Sequence, residues 1–87
     1  MYFEYNELKS QSNYEKHGMD FKQAQLLWSD ERLLEVQLDF PDEVRWLCIG
    51  TIQSKQWSAV ITYRDNAIRI ISVRRSRKKE IDHYENS

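Results

Sequence analysis

Three features of the 87-residue sequence predict an α+β fold with two N-terminal helices packed on an antiparallel sheet of about four strands, followed by a short C-terminal helix. Helix-capping and helix-stopping residues bracket two segments within the first 30 residues. From Leu33 the apolar period changes from helical to two. The alternating runs that follow are joined by short turns with no room for crossover helices, which makes the sheet a meander with the helices on one face.

In order along the chain, Tyr2 to Tyr5 is a short alternating aromatic run suited to an edge strand. Asn6 offers a side-chain cap for a helix through His17, and Gly18 is placed to end it in the left-handed conformation. Asp20 caps a second helix with Gln23 at the reciprocal position, and Phe21, Ala24, Leu27 and Trp28 share its core face. Leu34, Val36, Leu38 and Phe40 then alternate with Glu35, Gln37 and Asp39 in a strand that ends at Phe40-Pro41-Asp42. Further strands are expected over 44–52, 57–64 and 68–75. Asp65-Asn66 makes a tight hairpin between the last two, because both residue types tolerate positive φ. Ser76 is the expected cap of a terminal helix bearing Ile81 and Tyr84.

Composition narrows the function classes. At 10.6 kDa the chain suffices for one domain, here taken as residues 1–87, and excludes a multidomain enzyme. Cys48 is the only cysteine, so no internal disulfide or thiolate cluster can form, and its neighbours Leu47 and Ile49 suggest a small buried hydrophobe. The longest apolar stretch falls far short of the roughly 18 residues of a membrane helix, so no membrane partner is expected. Met1-Tyr-Phe-Glu lacks the basic and apolar regions of a secretion signal, which makes a reducing cytoplasm the expected location. Two histidines and scattered acids fit no ligand spacing, so neither a metal nor a cofactor is expected.

The formal net charge of −1 conceals a polarity. Residues 1–43 carry four basic and ten acidic side chains, whereas residues 44–87 carry nine and four. Arg69, Arg74, Arg75, Arg77, Lys78 and Lys79 follow one another with no intervening acid. Such clustering suits a polyphosphate partner; it also suits a basic surface paired with the protein's own acids.

A two-residue loop at Asp65-Asn66 sets Arg64 opposite Ala67, Tyr63 opposite Ile68, Thr62 opposite Arg69 and Ile61 opposite Ile70. One face then carries Trp57, Ala59, Ile61, Tyr63, Ile68, Ile70, Ser72 and Arg74, and the other Val60, Thr62, Arg64, Arg69, Ile71, Val73 and Arg75. Arg64 and Arg69 become diagonal neighbours that repel unless an anion or a carboxylate such as Glu43 or Glu35 lies between them. At the first helix's end, Lys16-His17-Gly18 places a histidine, able to exchange protons near neutral pH, where the chain turns. Either a proton-transfer role or a helix-terminal cation fits that position.

The segments Asn13-Tyr-Glu-Lys16-His17-Gly18-Met-Asp-Phe21, Glu43-Val-Arg45 with Gly50, Thr62-Tyr-Arg64 and Arg69-Ile-Ile-Ser72-Val-Arg74, with Glu80 and Tyr84 following, resemble the BrnT family of bacterial ribonuclease toxins. The resemblance spans nearly the whole chain. Two departures stand out: Tyr5-Asn6 replaces Trp-Asp, and Val73 and Ser76 replace alanines. The resemblance implies a RelE-like fold and RNA cleavage without metal that blocks translation. It also implies neutralisation by a BrnA-type ribbon-helix-helix antitoxin, in a 2:2 complex that binds promoter DNA through the antitoxin, with the free toxin a monomer. On this basis Arg64 and Arg69 hold the scissile phosphate and Arg74 stabilises charge or holds a flanking phosphate. His17 is the leading base or acid, with Lys16 as its electrostatic neighbour or substitute. Glu43 either transfers the second proton or orients Arg45 or Arg64, and Arg45, Arg75, Arg77, Lys78 and Lys79 extend the RNA track. A noncatalytic RNA-binding module and a protein adaptor using Trp46 and Trp57 are the competing classes.

Overall fold

The Asn6 side chain accepts the Lys9 N–H at 3.0 Å and opens helix α1, Glu7–His17. Gly18, at φ 77°, ends it by donating its N–H to the Tyr14 carbonyl. Asp20 and Gln23 close a reciprocal capping box at the start of α2, Phe21–Ala24. These boundaries are set by local chemistry, and they fall where the sequence predicts. The computed structural model describes residues 1–87.

Five strands form one sheet: β1 (Tyr2–Glu4), β2 (Leu34–Leu38), β3 (Arg45–Ile52), β4 (Lys55–Arg64) and β5 (Ala67–Arg75), in the order β1-β5-β4-β3-β2. The last four make an antiparallel meander. β1 adds a fifth strand, parallel to β5, so the expected count of four and the purely antiparallel pairing are both corrected. Strand alternation gives the sheet an inner and an outer face. The inner face carries Trp46, Cys48, Trp57, Ala59, Ile61, Ile68, Ile70 and Val73, packed on Met19, Phe21, Ala24 and Leu27. Gly50 makes a close approach there: a Cβ would come to 3.0 Å of the Leu27 and Leu33 side-chain ends, which would have to shift to admit it.

Three further expectations are corrected. The second helix does not run on as one helix through Trp28; after Ala24 it tightens into a 3-10 helix, Gln25–Ser29. That path keeps Leu27 fully buried and delivers the Asp30 carboxylate to the Thr51 N–H at 2.8 Å and the Tyr84 hydroxyl at 2.6 Å. The terminal helix α3, Lys78–Glu85, starts from Arg77 because the Ser76 hydroxyl is engaged with Ser58 at 2.7 Å. It also packs on the outer face, where Glu80 meets Ser58 and Arg74 and Tyr84 meets Thr51, so the helices do not all share one side.

The last correction concerns register. Pairing from Arg64↔Ala67 to Ile61↔Ile70 is as expected, but Val60 pairs with Ser72, leaving Ile71 as an extra residue in a β-bulge. Beyond it every side chain changes face. Val73 joins the core at 0% exposure, Ser72 and Arg74 move to the outer face with Arg64 and Arg69, and Arg75 moves to the inner side against Trp57.

Candidate active site

The outer face of β5 presents Arg69, Ser72 and Arg74 in succession, with Thr62 and Arg64 beside them on β4 and Arg45 on β3. Thr62 is buried between the strands and donates its hydroxyl to the Val44 carbonyl at 2.8 Å, which fixes the start of β3. Glu43 reaches Arg45 at 3.2 Å and Arg64 at 3.6 Å, while Glu4 reaches Arg69 at 3.8 Å. Carboxylates therefore do pair with these arginines. The Arg64 and Arg69 pairs are long, whereas Arg45 is hydrogen-bonded to Glu43, and the Arg64 side chain is 53% exposed. A long, exposed pair contributes only about 0–1 kcal/mol, so an incoming phosphate can compete for the Arg64 guanidinium.

Arg74 differs. It makes two 2.8 Å bonds to Glu80, whose carboxylate also accepts Ser58 Oγ at 2.9 Å and the Arg77 N–H at 2.9 Å. The Arg74 guanidinium, aided by the Arg77 N–H and Ser58, holds the Glu80 carboxyl down to about 2, against the effect of burial. Arg74 is thus a rigid cation with most of its charge already answered.

Helix α1 supplies the other side of the site. Its inward face is polar: Ser10 and Asn13 are buried, while Leu8 and Tyr14 point to solvent. Ser10 Oγ accepts the Phe21 N–H at 2.8 Å. Asn13 binds β5 as a strand would, donating to the Val73 carbonyl at 2.8 Å and accepting the Val73 N–H at 3.2 Å, and it also donates to the Met19 carbonyl at 2.7 Å. Residues three and four positions on lie over the same helix face. Lys16 and His17 therefore stand beside β5, and with Lys9, Ile71 and Ser72 they line a shallow cavity of about 340 Å³.

The structure gathers Arg45, Arg64, Arg69 and Glu43 at the hairpin end of the outer face, with Lys16 and His17 flanking the middle of β5. Arg75 is not with them: it stacks on Trp57, its guanidinium carbon 5.5 Å from the ring centroid. Arg77, Lys78 and Lys79 are exposed at the start of α3. Trp57 is buried and Trp46 is packed against the core, so neither offers the exposed surface an adaptor would need. From sequence Lys9 has no assigned role, and Ser72 enters only as part of the Arg69-to-Arg74 motif. The seven-residue spacing of Lys9 and Lys16 was the available signal, since it places both on one side of a helix. No three His, Cys, Asp or Glu side chains converge to hold a metal ion. No helix is long and apolar enough to cross a membrane.

A family model described as ribonuclease toxin, BrnT, of type II toxin-antitoxin system matches residues 5–80. The chain belongs to that family. No curated protein matches it. Membership of the BrnT family makes RNA the substrate class and an antitoxin the partner class. The matched residues include the α1 segment with Asn13, Lys16 and His17 and every arginine of the outer face.

Proposed function

We propose that this BrnT-family chain, acting as one toxin domain over residues 1–87 with a RelE-like build, is a metal-independent endoribonuclease that halts translation in the cytoplasm. A BrnA-type ribbon-helix-helix antitoxin neutralises it in a 2:2 complex bound to promoter DNA through the antitoxin, and the free toxin is a monomer. What supports the catalytic part is the row of guanidinium groups on the outer face, Arg45, Arg64 and Arg69, the last two held only by long ion pairs, together with Lys16 and His17 of α1 beside Ile71 and Ser72 farther along β5.

In the proposed reaction the 2′-hydroxyl of the substrate attacks the adjacent phosphorus, the 5′-oxygen of the next nucleotide leaves, and a 2′,3′-cyclic phosphate remains. One group accepts the 2′-hydroxyl proton and another delivers a proton to the leaving oxygen. His17 takes one of these roles, with Lys16 beside it. Arg64 and Arg69 leave their carboxylate partners to bind the phosphate oxygens, where charge increases in the transition state. Glu43 is assigned to orienting Arg45 and Arg64, given its contacts to both. Arg74 stabilises charge from its fixed position, and Arg75, Arg77, Lys78 and Lys79 attract flanking RNA.

Incubating the purified protein with RNA in excess chelator tests the reading. The wild type is expected to cut, and His17→Ala and Arg64→Ala are each expected to slow cutting by about 10²-fold or more. Undiminished cutting by both variants refutes the site. A wild type that binds RNA with a steep salt dependence but never cuts is a noncatalytic RNA-binding module.

A further inference from the structure

Two exposed aromatic rings bracket the arginines of the outer face. Tyr2 on β1 pairs with Ala67, and Ala67 with Arg64, so the three stand in one row across the sheet. Tyr2 is 74% exposed. Phe40 follows β2 two residues past Leu38, which pairs with Arg45, and Arg45 lies over its ring at 4.6 Å from the centroid. Phe40 remains 43% exposed. β1 and β2 are the two edge strands, separated by four strand spacings, or about 19 Å. The other exposed sheet aromatic, Tyr63, is on the inner side, where it meets Trp46 and donates a hydrogen bond to Glu35.

We infer that the hairpin end of the outer face is a track for single-stranded RNA crossing the strands, with Tyr2 and Phe40 as platforms on which its bases stack and Arg64 and Arg69 holding the phosphates between them. Exposed aromatics on either side of arginines suit unpaired bases and the backbone between them, and a base paired in a duplex has no free ring face to offer. The acids fit the same division. Asp39 and Asp42 flank Phe40 in the chain and repel phosphate, which leaves that position to an uncharged base and shifts the backbone toward Arg64 and Arg69. Glu43 holds Arg45, and Arg45 covers one side of the Phe40 ring. Tyr2 lies outside the stretch that the family model matches, so its part rests on this chain's own geometry.

This inference rests on the reading of the chain as an RNA-acting protein, and the two are tested separately. A mixed-sequence 2′-O-methyl RNA oligomer, which lacks the attacking hydroxyl, is titrated with the wild type, Tyr2→Ala, Phe40→Ala and Phe40→Tyr. Each alanine variant is expected to bind about tenfold more weakly with an unchanged salt slope, because a stacked base is lost and no charge is altered. Phe40→Tyr is expected to bind like the wild type, and the duplex of the same sequence to bind weakly and ignore the aromatic substitutions. Wild-type affinity in both alanine variants, or equal binding of the duplex, overturns the track while leaving cleavage by the wild type intact. A wild type that neither binds nor cuts RNA overturns the functional reading itself.

Discussion

All three hydrogen bonds of the Asn13 side chain go to backbone. Two amide donors and one carbonyl acceptor meet the Met19 carbonyl and both polar groups of Val73. This seats a helix that has almost no apolar face, and it sets the third and fourth positions beyond, Lys16 and His17, beside β5. Asn13→Ala leaves three buried backbone groups without partners, and urea unfolding is expected to show a loss of about 2–4 kcal/mol. Asn13→Asp is expected to lose more, since it sets a carboxylate against two carbonyls. Equal stability of the alanine variant would show that α1 is held by something else. Cys48 illustrates the same economy of position. Burial first, and the Glu35 carboxylate second, push its thiol up to about 12, so it serves as a small core side chain.

Among the elements, the β3–β4 turn stands out. Gln53 and Ser54 both take left-handed backbone, at φ 50° and 68°, between the paired residues Ile52 and Lys55. Two-residue hairpins require this geometry, and glycine or asparagine adopts it at less cost than either residue present. Ser54→Gly is expected to gain roughly 0.5–1 kcal/mol, seen as a melting temperature higher by about 3–6 °C, and Ser54→Val to lose stability. A lower melting temperature for the glycine variant would contradict the geometry. The same contrast between local and distant causes explains what could be read from sequence. The caps at Asn6, Gly18 and Asp20, and the pairing of Thr62 with Arg69, follow from neighbours within a few residues. The Ile71 bulge, the side of the sheet on which α3 lands, and the approach of Glu4 to Arg69 depend on segments meeting across the fold. Hence the arginines of the site, and Glu43 as a partner for Arg45 or Arg64, were legible in the sequence, whereas the pairing of Glu4 with Arg69 and the face Arg74 occupies were not.

At the scale of the whole molecule, α3 is tied down by ions as much as by apolar contact, for Tyr84 is its only buried residue. The Glu80 carboxyl titrates near 2 in the folded protein, well below its ordinary 4.5. A depressed carboxylate stabilises the fold fully above its unfolded pKa, and that stabilisation is lost as pH falls through the folded value. The molecule should therefore lose on the order of 2 kcal/mol between about pH 5 and pH 2 on this account alone. Glu80→Gln is expected to be less stable at neutral pH and to show a flatter acid limb in denaturant titrations. An unchanged pH profile in that variant would place the acid sensitivity elsewhere. The acidic and basic halves of the chain meet in the same way: Glu4 and Glu43 reach across to Arg69, Arg45 and Arg64 and leave the hairpin end only mildly positive.

The Ile71 bulge behaves like a shift of reading frame inside a strand. Before it, even-numbered residues of β5 fill the core; after it, the odd-numbered Val73 does, and the even-numbered Arg74 passes to the side where the other arginines wait. One unpaired residue thus lets a single strand serve two masters, with a continuous apolar seam on one side and a row of cations on the other, though no simple alternation of its nine residues would supply both.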